Sequence, residues 1–88
     1  MDYQIVCVKK DYYGNITHIG YQKYPNCKPI KISIADAIYR MKADGFSFYV
    51  VYNGKRIAVD IKNDNDQEYL FTNDGGGEGN YLEYFDIF

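Results

Sequence analysis

The stretch Phe46-Ser47-Phe48-Tyr49-Val50-Val51-Tyr52-Asn53-Gly54-Lys55-Arg56-Ile57-Ala58-Val59-Asp60-Ile61 decides the fold of this chain. Two alternating runs of aromatic and β-branched residues meet at Asn53-Gly54, a dipeptide suited to a tight hairpin because both central positions of a type I′ turn need a positive φ. A two-residue turn sets the register: Tyr52 opposite Lys55, Val50 opposite Ile57, Phe48 opposite Val59 and Phe46 opposite Ile61. Side chains alternate across a strand, so these pairs share one nearly apolar face, which reads as core. The other face pairs Val51 with Arg56, Tyr49 with Ala58 and Ser47 with Asp60. That face reads as a surface for solvent, partner or ligand.

Working outward, residues 3–10 are apolar on both faces and predict a central strand. Asp11-Tyr12-Tyr13-Gly14 supplies turn chemistry, and Asn15 to Tyr21 reads as the return strand. A four-residue loop would set Val8 opposite Thr17, Cys7 opposite His18 and Val6 opposite Ile19. Residues 22–32, with Pro25, Asn26 and Pro29, read as loop. Ser33-x-x-Asp36 is close to a capping box and opens a helix. Its stripe is Ile34, Ala37, Ile38 and Met41, at the spacing of one helix face, and Gly45 is the stop.

Beyond the hairpin, Lys62 to Gln67 reads as a polar loop and Glu68 to Thr72 as a last strand. Residues 73–80 make a Gly-rich flexible loop. Residues 81–88 make an apolar C-terminal tail, expected to dock on its own sheet or on a neighbouring copy. The expected class is α+β, a small antiparallel sheet in the order ββαβββ with one helix packed on one face, in a single domain of residues 1–88.

Composition narrows the function classes. The chain of 88 residues has no run near the ~20 apolar residues of a membrane helix. The start Met1-Asp2-Tyr3 lacks a signal-peptide pattern. Two cysteines with no CxxC fit a reducing compartment, so the expected location is the cytoplasm of a bacterium or of an infected host cell. Net charge is −2, which argues against general nucleic-acid binding. Residues 1–44 carry seven Lys/Arg against four Asp/Glu, and residues 45–88 three against eight. Segregated onto two faces, that asymmetry would favour self-association or a basic partner; spread out, it merely solvates loops. Eleven tyrosines suit either half-buried filler on a small sheet or wet binding surfaces.

Catalytic and metal patterns are weak. Cys7 and His18 as cross-strand neighbours would be a thiol–imidazole pair, but mid-strand positions offer neither an orienting third group nor an oxyanion site, and two ligands fall short of a structural zinc site. Asp64, Asp66 and Glu68 begin like a calcium loop, but Tyr69 and Gly75 stand where Gly and Glu are needed. Gly75-Gly76-Gly77-Glu78-Gly79 lacks the Lys-Ser/Thr of a P-loop, and Asp74 and Glu78 would repel phosphate. No catalytic residue, metal or cofactor is assigned.

The constellation that carries a function is Tyr49, Val51 and Arg56, with Tyr69 or Phe71 added from the last strand. Arg beside Tyr stacks on planar groups and donates paired hydrogen bonds to phosphate. The same residues would serve equally as a dimer interface.

Several segments together resemble a small bacterial and phage family known as a domain of unknown function, number thirty-eight ninety-two in that series. They are Ile5-Val6-Cys7-Val8-Lys9-Lys10-Asp11, Gly14, Ile16-Thr17-His18-Ile19-Gly20 and Ser33-Ile34-Ala35-Asp36-Ala37-Ile38. Gly45, Phe48-Tyr49-Val50, Asn53-Gly54-Lys55, Tyr69-Leu70, Thr72, Asp74-Gly75, Asn80 and Leu82 continue the series. The chain departs from it at Lys23 to Lys31, in the extra glycines of 76–79, and in Tyr84-Phe85-Asp86-Ile87-Phe88, which replaces a short proline ending. The resemblance implies a compact β-rich domain and no established activity.

The expectation is therefore a non-enzymatic binding module, a phage-type protein that binds or sequesters a small anionic or nucleotide-like ligand. The alternative is an inhibitor or adaptor that covers a host protein with its aromatic and acidic surface. Self-association stays open in both.

Overall fold

The computed structural model describes residues 2–73 and Leu82. Their elements are β1 (Asp2–Lys10), β2 (Ile16–Gln22), β3 (Ile30–Ser33), α1 (Ile34–Ala43), β4 (Ser47–Tyr52), β5 (Lys55–Asp64) and β6 (Gln67–Asn73). The strands form one sheet in the order β3-β2-β1-β4-β5-β6, with the helix against one face. The class is α+β.

The central hairpin forms as its turn chemistry requires. Asn53 and Gly54 hold φ at 51° and 75°, and β4 and β5 pair as Tyr52–Lys55, Val51–Arg56, Val50–Ile57, Tyr49–Ala58 and Phe48–Val59. Phe48, Val50, Ile57 and Val59 are buried beneath the helix, as the apolar face predicts. Helix α1 starts where the sequence places it. The Ser33 hydroxyl accepts the Asp36 N–H at 3.1 Å, satisfying a donor that the first turn leaves open. Ala37 and Ile38 are buried, and Ile34 and Met41 flank them. Gly45 follows the C-cap Asp44 at φ 69°, a conformation that favours glycine.

The sheet is mixed and has one strand more than ββαβββ. Residues 22–32 are not all loop, because Ile30–Ser33 pairs with β2 as an edge strand. Pro25 and Pro29 hide a strand that is only four residues long and leads straight into the helix. With β3 in place, β3-α1-β4 becomes a crossover over β2 and β1. A helix-bearing crossover is how two strands of one sheet come to run in the same direction, and β4 lies parallel to β1 through Asp2–Ser47, Tyr3–Phe48 and Gln4–Tyr49.

Two hairpins differ in detail from expectation. β2 is Ile16–Gln22, and its register is Val8–Ile19, Cys7–Gly20 and Lys9–His18, not Val8–Thr17 and Cys7–His18. Shifts lie between Ile5 and Cys7 and between Lys9 and Lys10, and the second of them, next to Lys10 opposite Ile16, accounts for the change. The first of these resets the alternation, so Ile5 and Val8 both point into the core. The polar loop of 62–67 is also shorter than expected: β5 continues to Asp64, and Asn65-Asp66 alone makes the turn, at φ 52° and 65°. Asn and Asp tolerate the left-handed region better than other non-glycine residues, so this pair also makes a two-residue hairpin.

The core joins Tyr3, Ile5, Val8, Ile19, Tyr21 and Ile32 with the central hairpin, Leu70 and the helix. Tyr3, Tyr21, Phe46 and Phe48 form a closed group of rings with every centroid pair between 4.9 and 6.4 Å. Arg40, in the last helical turn, lies 5.6 Å from the Phe46 ring centroid and caps this group. The Gly-rich loop and the tail lie outside the described residues, apart from Asn73, which ends β6, and Leu82, which is fully buried in the core. Among the described residues no helix is long and apolar enough to cross a membrane.

Candidate functional site

Alternation along the strands puts Tyr49, Val51, Arg56, Tyr69 and Phe71 on the sheet face opposite the helix, since Phe48, Val50, Ile57, Leu70 and Thr72 point inward. All five sequence-suggested residues therefore share one face, in two groups. Tyr49 and Arg56 touch directly: the guanidinium carbon lies 3.7 Å from the Tyr49 ring centroid. Phe71 sits on the far side of β5, two strand spacings across and two residues along from Tyr49, roughly 12 Å away. There it receives Lys62 at 5.7 Å from its centroid, and Tyr69 lies opposite Lys62 in the ladder. Val51 stands beyond Tyr49 toward the turn, on the exposed end of β4.

Arg56 reaches across β4, over Tyr49, to Asp2 on β1, where its Nη2 donates to Oδ2 at 3.0 Å. The Ser47 hydroxyl donates to the other oxygen of the same carboxylate. Asp2 and Ser47 are direct partners in the parallel ladder, which is what assembles this Tyr49–Arg56–Asp2–Ser47 network. Both ions are more than half exposed, so the ion pair contributes no more than about 1 kcal/mol and the Arg–Tyr stack about 0.5–1 kcal/mol. The arrangement is held in place but easily rearranged.

Beside this network is a hollow of about 300 Å³ lined by Asp2, Gln4, Gln22, Tyr49 and the loop residues Lys23, Tyr24, Pro25 and Asn26. That volume is at the small end of ligand sites, about 300–1,000 Å³. The sequence reading did not include Asp2, Gln4, Gln22 or Lys23. Gln4 falls in a stretch read as apolar on both faces and Gln22 at the start of one read as loop, and nothing local signalled the β1–β4 pairing. A second cavity, about 560 Å³, lies between the Gly14–Ile16 segment, Ile34, residues 67–70 and Leu82.

The expected thiol–imidazole neighbours are separated: Cys7 faces Gly20, while His18 faces Lys9 and its Nδ1 lies 2.9 Å from the Thr17 hydroxyl. The acidic run of 64–68 is a hairpin turn with flanking strands, a backbone that a calcium loop cannot share. Among the described residues, no three His, Cys, Asp or Glu side chains gather to hold a metal ion. Comparison with protein-family models, curated proteins and solved structures finds no match to this chain.

Proposed function

We propose that this protein is a non-enzymatic binding module that holds a small planar anionic ligand on the uncovered face of its sheet, in the hollow beside Tyr49. The observation that carries this reading is the double role of Tyr49, which lines the hollow and carries the Arg56 guanidinium against its ring. An aromatic wall, a nearby cation and Lys23 at the rim are the elements that recognise a planar group bearing negative charge. The separation of Cys7 from His18 removes the one nucleophile–base pair that the sequence suggested.

Arg56 acts here by neutralising Asp2 as much as by touching the ligand. Its removal exposes an unpaired carboxylate at the edge of the hollow, where it repels an anion. Arg56→Ala is expected to weaken binding of a nucleoside monophosphate by about ten- to a hundredfold. A thermal-shift screen of nucleotides and cyclic nucleotides on the full chain tests the reading, since a ligand that binds only the folded state raises the melting temperature. A flat screen, with sedimentation showing an altered oligomer in Arg56→Ala, replaces the ligand site with a dimer interface.

A second reading rests on the exposed tyrosines. Tyr12 and Tyr13, at the tip of the β1–β2 hairpin, are 96% and 84% exposed, and their rings meet edge to face at 5.5 Å. Asp11 braces that turn by accepting the N–H groups of Tyr13 and Asn15 at 2.9 Å each. A rigid aromatic tip of this kind suits a host-protein partner, as an inhibitor or adaptor. It predicts that Tyr12→Ala with Tyr13→Ala abolishes a protein interaction and leaves every small-molecule shift unchanged.

A further inference from the structure

The hollow has an internal order that points to the part of the ligand it reads. The registers place Gln22, Gln4, Tyr49 and Ala58 in one row across four adjacent strands, β2, β1, β4 and β5. The first three line the hollow. Gln22 is anchored: its Nε2 donates to the Cys27 carbonyl at 3.0 Å, which leaves its side-chain oxygen as an acceptor. Gln4, half-buried between Gln22 and Tyr49, makes no side-chain hydrogen bond among the described residues. Its carboxamide presents a donor and an acceptor side by side in one plane, next to an aromatic wall.

That pattern selects a ligand edge carrying an adjacent acceptor and donor on a flat ring. A Gln carboxamide matches the N7 acceptor and N6 amino donor of adenine in this way, and equally the N3 acceptor and N4 amino donor of cytosine, whereas a sugar phosphate offers no such edge. The one arginine beside the hollow is committed to Asp2 and Tyr49. The Asp2 carboxylate places the negative end of a ligand away from β1 and toward Lys23 on the loop. Resting on the ligand reading of this face, we propose that the Gln22–Gln4–Tyr49 row reads a nucleobase edge that carries an adjacent acceptor and amino donor, with Lys23 taking the phosphate of the nucleotide.

Titration of the full chain with adenosine monophosphate, cytidine monophosphate and ribose 5-phosphate tests the assignment, using wild type and Gln4→Leu. Wild type should favour both nucleotides over ribose 5-phosphate by at least about tenfold. Gln4→Leu, which removes the donor–acceptor pair without adding charge, should weaken binding of both nucleotides by about tenfold and leave ribose 5-phosphate binding unchanged. Equal binding of all three probes by wild type overturns the base-reading row while the anion reading stands. Binding of none of them overturns both. A nucleotide preference that survives in full in Gln4→Leu overturns the role of Gln4. Should Gln4→Leu fail to fold, the side-chain amide resonances of Gln4 and Gln22 in labelled wild type decide the matter: they must shift when adenosine monophosphate is added, and resonances that stay still overturn the proposal.

Discussion

The two faces of this sheet are built from the same strands by opposite rules. On the helix side, Phe48, Val50, Ile57 and Val59 are buried together with Tyr3, Ile5 and Ile38, and the contacts are apolar and closely packed. On the open side, the neighbouring positions Tyr49, Val51, Arg56 and Ala58 meet as a ring, a cation and small side chains, tied by one exposed ion pair to Asp2. The first face derives its stability from area removed from water, the second from polar contacts worth at most about a kilocalorie each. A side chain shifted by one position along β4 therefore moves from holding the fold to offering a surface.

The contrast is broken most severely from the covered side. Phe48→Ala should cost about 3–5 kcal/mol, since it empties the middle of the four-ring group and leaves a cavity under the helix. A denaturant melt showing a loss below about 1 kcal/mol would mean that this face is not the core. Leu82→Ala should follow at about 2–5 kcal/mol, because its side chain is fully buried although it lies well beyond the last strand. An unchanged melt there would separate Leu82 from the core.

Smaller effects probe the joints between the faces. Gly54→Val forces a β-branched residue to φ 75° and should cost about 1–2 kcal/mol, as open space surrounds the position and only backbone strain opposes the change. Ser33→Ala removes the hydroxyl that caps α1 and should cost about 1 kcal/mol, visible as a lower denaturation midpoint with the same slope. Arg56→Ala gives up both the exposed ion pair and the ring contact and should cost about 0.5–2 kcal/mol, with the ion-pair share shrinking as salt is raised. If Arg56→Ala instead unfolds the domain, the open face is structural and the division between the faces is gone.

Much of this was legible in the residues. Asn53-Gly54 determined the central register without help from any distant part of the chain, because a two-residue turn leaves the strands no choice of partner. Ser33, the Ile34–Met41 stripe and Gly45 likewise delimited the helix, through capping and backbone preferences that act within a turn. The alternation of β4 and β5, with that of β6, was enough to put Tyr49, Val51, Arg56, Tyr69 and Phe71 on one face.

Tertiary structure decided the rest, for reasons of range. Strand β3 is four residues long behind two prolines, and only its pairing with β2 makes it a strand. Once it exists, the crossover through α1 sets β4 parallel beside β1, and no local pattern in Asp2–Gln4 or Ser47–Tyr49 encodes that contact. The bulge between Ile5 and Cys7 is settled by the core that draws in both Ile5 and Val8, while the shift between Lys9 and Lys10 moves His18 away from Cys7. The sequence alone determined which residues of β4, β5 and β6 face outward. Which of them meet, with Arg56 over Tyr49 and against Asp2 and Gln4 beside Gln22, followed from a strand order set by burial across the whole sheet.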